Sequence, residues 1–191
     1  MPVDPTKFFK INVADTCSVW NLISSQLLFS TACNNGCRFS MTQFVEYECF
    51  YKPRKSETDE ELELIDRAKH AQVHGQLEVF PIDIEDLQEV KLLENRKNLS
   101  KGELSSIAFA KKIDQAFITD DQGARKLAEA VMADSKVQTT PHLVGWLVYD
   151  SIIGDIDVCI IIKQHEEMKR PLARYFKEIH IKALERRLAD G

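Results

Sequence analysis

Five carboxylates stand where a chain of this kind could do chemistry. Asp15 directly follows the apolar run 8–14, and Asp120 and Asp121 directly follow the run 116–119. Glu48 lies in a helical stretch after a further short run at 38–41, and Glu103 stands in the first turn of a helix, just after Gly102. Carboxylates that converge repel one another, and more strongly as water leaves. A hard divalent cation bound through oxygen removes that cost. Mg²⁺ needs only one or two protein carboxylates beside waters and phosphate oxygens. Once held, it can activate water, orient a phosphodiester and stabilise the leaving oxygen, with no covalent nucleophile. Each acid also has a plainer reading. Asp15 and Asp120 suit helix caps, Glu103 suits a helix N-terminus, and Glu48 suits a solvated helix face. Their joint occurrence after separate strands is what points to a site.

The elements that must position these acids alternate. Strands are predicted at 8–14, 38–41, 77–82, 116–119 and 136–139. Helices are predicted at 19–29, from a cap at Thr42, from 56–60 to Val73, and at 83–95, 103–113, 122–133 and 142–153. Pro141 suits the start of the last of these. A charged helical tail, 155–190, is expected to break at Gly154 and Pro171. Strands separated by helices of this length imply crossover connections. The fold class is therefore α/β: a central parallel sheet flanked by helices, with its ligand site outside the carboxyl ends of the strands.

Bulk properties narrow the class. A net charge of −5 argues against a protein that coats DNA indiscriminately, and is compatible with an enzyme that meets phosphate through metal ions. No apolar run of about 18 residues exists, so no membrane-spanning helix is expected. The first ten residues lack a secretory pattern, and the default is cytoplasmic. Five cysteines, an odd number, read as reduced thiols. Cys33 and Cys37 lack a second Cys/His pair at zinc-finger spacing. The five histidines are scattered, and no nucleophile triad or glycine-rich phosphate loop is present. An aspartate-based phosphatase would want two Asp separated by one residue after its first strand, where this chain reads Asp15-Thr16-Cys17.

The segments that carry the acids resemble those of the PIN-domain nucleases. Ile11-Asn12-Val13-Ala14-Asp15-Thr16 is similar to a first strand ending in Asp-Thr, and Val45-Glu46-Tyr47-Glu48 to the second acidic motif. Leu99-Ser100-Lys101-Gly102-Glu103 resembles the Gly-Glu form of the third, and Phe117-Ile118-Thr119-Asp120-Asp121 with Gly123-Ala124-Arg125 the last. The resemblance spans roughly residues 10–153. It implies a PIN-like three-layer sandwich over 1–153 and a helical C-terminal extension, 154–191, that packs on it or mediates association. It also implies Mg²⁺- or Mn²⁺-dependent cleavage of RNA, often by the toxin of a toxin–antitoxin pair, with an antitoxin protein and a homodimer as the associated partners. By the same resemblance Asp15, Glu48, Glu103 and Asp121 are catalytic and hold metal, with Asp120 as an adjacent ligand candidate. Glu46 stands as the alternative to Glu48, and Asp120 to Asp121. Thr16 and Arg125 are candidate substrate contacts. Lys52, Arg54 and Lys55 could guide RNA by charge. A PIN-like module that binds a partner and does not cut is the competing reading, motivated by the long charged tail.

Overall fold

The computed structural model describes residues 4–54, 56, 58–94 and 99–190. Among these, strands β1 (Ile11–Ala14), β2 (Arg38–Thr42), β3 (Leu77–Phe80), β4 (Ala116–Ile118) and β5 (Val137–Gln138) form one sheet. The order is β3-β2-β1-β4-β5, and every pairing is parallel. The helices are α1 (Thr16–Ser24), α2 (Gln26–Asn34), α3 (Gln43–Phe50), α4 (Asp59–Val73), α5 (Ile84–Glu94), α6 (Lys101–Lys112), α7 (Gln122–Val131), α8 (Thr140–Tyr149), α9 (Asp155–Glu167) and α10 (Ala173–Asp190).

Successive residues of a strand point to opposite faces of a sheet, and the central strands show it. Val13 and Phe117 enter one core, formed with Leu104 and Ile107 of α6, Leu127 of α7 and Val90 and Leu93 of α5. Ala14 and Ile118 enter the other, which draws on α1 to α4 and α8 to α10. Apolar contact on both faces is what confines an all-parallel sheet to a three-layer sandwich. The expected architecture is therefore the one found, with helices completing the C-terminus. Among the described residues no helix is long and apolar enough to cross a membrane.

The C-terminal helices share the second core. Val158 and Ile161 of α9 and Phe176 and Ile179 of α10 are buried with the residues of α8. Gly145 makes the closest approach possible: a Cβ there would stand 2.5 Å from Ile179 Cγ1.

Several boundaries differ from expectation. The helix expected at 19–29 is two helices, broken at Ser25, whose backbone is extended (φ −110, ψ 110). Ser25 Oγ accepts from the Leu28 N–H at 3.1 Å and donates to Gln164 Oε1 at 2.7 Å. The apolar spacing runs on across the break because both helices face the same core. The first strand starts late because the Phe9 N–H is taken by the Gln138 side chain at 2.7 Å and not by a neighbouring strand. Asn95, expected to end α5, and Lys55 lie outside the described residues.

From β1 the chain moves outward to β2 and β3, then returns to lay β4 and β5 on the other side. The strand order thus reverses between β1 and β4. Ligands of open α/β sheets bind beyond the carboxyl ends of strands at such a reversal. Asp15 follows β1 there, and Thr119, Asp120 and Asp121 follow β4.

Candidate active site

Asp15 is fully buried and caps α1. Its Oδ1 accepts the Ser18 N–H at 2.8 Å, and its Oδ2 accepts the Thr119 hydroxyl at 2.5 Å. Burial pushes its carboxyl up from 3.8 to about 7; the negative charge of Asp120 adds to this, against the pull of the Thr119 and Ser18 hydrogen bonds.

Asp120 is more fully engaged. Oδ1 accepts the Thr140 N–H at 2.9 Å, and Oδ2 accepts the Thr140 hydroxyl at 2.6 Å and Asn21 Nδ2 at 2.8 Å. Burial raises this carboxyl too, opposed by the bonds from Thr140 and Asn21 and by the Arg170 charge. Arg170, between α9 and α10, donates Nε to Asn21 Oδ1 at 2.8 Å. That bond fixes which end of the Asn21 amide faces the carboxylate. Cys17, close by, is pushed up to about 12 by burial and by the charges of Asp15 and Asp120, so it stays a thiol.

Glu48 comes from α3. Its Oε2 accepts the Thr16 hydroxyl at 2.5 Å, and its Oε1 accepts the Gly102 N–H at 3.2 Å. The second donor is one of the unpaired amides of the first turn of α6. Only glycine permits the approach, because a Cβ on residue 102 would stand 2.5 Å from Glu48 Oε2. Glu46, two residues earlier, faces elsewhere on the helix and accepts Gln72 Nε2 of α4 at 2.9 Å.

Glu103 closes a capping box: Oε2 accepts the Ser100 N–H at 2.7 Å, and Ser100 Oγ accepts the Glu103 N–H at 3.2 Å. Its carboxyl is raised first by burial and further by the charges of Asp121 and Glu48, against the Ser100 hydrogen bonds. Asp121 caps α7, with Oδ1 accepting the Ala124 N–H at 2.8 Å, while its own N–H donates to Thr119 Oγ1 at 3.2 Å. One hydroxyl, that of Thr119, thus ties Asp15 to Asp121.

Two of the plain roles are realised, since Asp15 and Glu103 each serve a helix N-terminus; the cap of α7 is Asp121 and not Asp120, and Glu48 is half-buried on Thr16 and Gly102 and not on a solvated face. They do not use up the oxygens. Asp121 Oδ2 and Glu103 Oε1 take no protein hydrogen bond among the described residues. Also among the described residues, no three His, Cys, Asp or Glu side chains close on a point that would hold a cation. Mg²⁺ does not need such a cage; it takes one or two carboxylates and keeps its waters. An all-oxygen donor set with two uncommitted atoms fits that demand.

The other expected contacts fall as follows. Thr16 spends its hydroxyl on Glu48. Arg125 is half-buried and forms no ion pair with an acid among the described residues. Arg54 lies over the Trp20 ring, 5.5 Å from its centroid, and donates to Cys49 O at 3.0 Å. Asn21, Thr119, Thr140 and Arg170 were not foreseen as parts of the site. Asn21 left one trace in the sequence, an amide inside an apolar helical run; Arg170 left none.

A family model described as a PIN domain matches residues 42–170, more than half of the chain. The match takes in Glu48, Glu103, Asp120, Asp121 and Arg170, starting after β1 and running past residue 153. No curated protein matches the chain.

Proposed function

Because this chain belongs to the PIN-domain family, a nuclease-type fold, we propose that it is a metal-dependent endoribonuclease hydrolysing RNA phosphodiester bonds at the acidic centre. The observation that carries the reading is the pair of uncommitted oxygens, Asp121 Oδ2 and Glu103 Oε1, on acids that feel each other's charge beside Glu48. Asp121 and Glu103 would hold Mg²⁺ or Mn²⁺ directly, with Asp15, Glu48 and Asp120 completing the negative surround. The bound ion would supply a water of lowered pKa and neutralise charge on the phosphate. Thr119 keeps Asp15 and Asp121 in register, and Thr16 with Gly102 holds Glu48 in place. Arg125 offers its guanidinium to the phosphate.

The finer parts of the reading rest on the family resemblance: a cytoplasmic toxin of a toxin–antitoxin pair, acting as a homodimer and restrained by an antitoxin protein. A second reading, a PIN-like module that binds and does not cut, draws on the long charged C-terminal helices, which leave Ile156, Tyr175, Ile181 and Leu188 exposed.

One experiment separates the two. The purified protein is given single-stranded RNA with Mg²⁺, Mn²⁺ or EDTA, beside Asp15→Asn and Asp121→Asn. Asn caps a helix as well as Asp does, so Asp121→Asn keeps its fold. Cleavage that needs the metal and disappears in both variants is expected. Unchanged cleavage in both folded variants refutes the site, and no metal-dependent cleavage by the natural protein favours the silent module.

A further inference from the structure

A cleft of about 690 Å³ opens beside Glu48, between α3, the segment leading into α5, and the start of α6. Its walls are the rings of Phe44 and Tyr47 and the side chains of Ile82 and Leu87, while Lys52 and Lys101 stand at its rim. The size is that of a small-molecule site, typically about 300–1,000 Å³. Phe44, Tyr47 and Glu48 are spaced i, i+3 and i+4, so both rings and the acid share one face of α3. Tyr47 is 51% exposed and Leu87 45%, so neither is filling a core. Lys52 and Lys101 form no ion pair with an acid among the described residues, in a chain whose net charge is −5.

We propose that this cleft binds an unpaired base of a single-stranded RNA next to the phosphate being cut. The inference rests on the nuclease reading and adds to it where the substrate lies and why it must be single-stranded. The occupant has to be flat and apolar where Phe44 and Tyr47 are, and anionic where Lys52 and Lys101 are. A nucleotide meets both demands at once: its base stacks on the rings, and the flanking phosphates meet the lysines. Gln43 at the lip offers an amide to the edge of the base. A duplex keeps its bases stacked and paired, so it cannot present one to the rings. Glu48, which lines the cleft and also takes the Gly102 N–H, makes it continuous with the acidic centre.

The test reads binding without cleavage. The full chain, Tyr47→Ala, Tyr47→Phe and Lys52→Ala are titrated in EDTA against fluorescently labelled single-stranded RNA. The same RNA as a duplex, and an abasic version of it, serve as comparisons. Tyr47→Ala is expected to weaken binding of the single strand about tenfold, the order of one lost stacking contact. Tyr47→Phe keeps the natural affinity, and abasic RNA binds the natural protein and Tyr47→Ala alike. Lys52→Ala weakens all three RNAs and flattens the salt dependence. Equal affinity of Tyr47→Ala and the natural protein for the single strand overturns the proposal, as does a natural protein that binds no RNA. So does a concentration-dependent dimer, seen by sedimentation, that Tyr47→Ala abolishes, because the cleft would then be covered by a second copy. Failure of the nuclease reading is seen separately, as RNA that binds through its bases and is never cut with Mn²⁺.

Discussion

The acidic centre has two halves that treat their carboxylates differently. On the side of β1 and β4, Asp15 and Asp120 are enclosed, and both oxygens of each accept protein hydrogen bonds. On the side of α6 and α7, Glu103 and Asp121 each commit one oxygen to a helix N-terminus and keep the other clear. Glu48 bridges the halves, with Thr16 from α1 on one oxygen and Gly102 from α6 on the other. The enclosed half is expensive to ionise and shapes the field, while the clear half is where a cation can be reached. Changes on the two sides should therefore fail in different ways, one set moving stability with pH and the other moving activity alone.

The largest effect belongs to the clear half. Glu103→Gln keeps a capping box, since Gln serves at this position as Glu does. It removes the charge that would hold metal, whose catalytic worth is several kcal/mol. Cleavage is expected to fall about a thousandfold with the melting temperature nearly unchanged. A melting temperature that drops with activity would erase the distinction between the halves.

Gly102→Ala attacks the bridge. The new Cβ would meet Glu48 Oε2 at 2.5 Å, so the carboxylate must leave either Thr16 or the amide of residue 102. A displacement of this size in a positioning group costs about a hundredfold in rate. Single-turnover cleavage at saturating Mn²⁺ measures it. An unaltered rate would show that Glu48 need not sit where it does.

Asp15→Asn tests the enclosed half through stability. Its carboxyl titrates at about 7 in the fold, against an ordinary 3.8. The folded state holds the proton more tightly, so this contribution to stability is complete below about 3.8 and is lost as pH rises through about 7. Without metal, Asp15→Asn should melt about 5 °C above the natural protein at pH 8, and the gap should close toward pH 4. Calorimetry in EDTA across that range reads it; a gap that widens on acidification has the wrong sign and would mean Asp15 is ionised at little cost. Arg170→Lys gives the smallest effect. Lysine keeps the charge and loses the planar Nε donor to Asn21 Oδ1. A fall of roughly threefold in kcat with KM unchanged is expected, about 0.6 kcal/mol. No change would make the guanidinium a packing element only.

The sequence made the sheet readable, because each strand is short, apolar and fenced from the next by a helix. It also placed Asp15, Asp120 and Asp121 at the carboxyl edge of the sheet, since a residue just past a strand is fixed by that strand's end. It left Glu46 and Glu48 as alternatives, because which of them faces inward depends on the rotation of α3, and the structure turns Glu46 to Gln72. It showed one helix where Ser25 makes two, because side-chain capping is a local event that apolar spacing does not record. The polar links Thr16–Glu48, Asn21–Asp120 and Arg170–Asn21 join residues 32, 99 and 149 positions apart, and no local pattern signals a partner at that distance.

Thr140 and Arg170 complete the surroundings of Asp120, and α9 and α10 close the core against which β1 rests. A chain cut after residue 153 would keep all five carboxylates and lose the helices that shelter one face of the sheet. Leu143, Leu147 and Phe29 would then turn apolar surface toward water, and such a fragment is expected to clump.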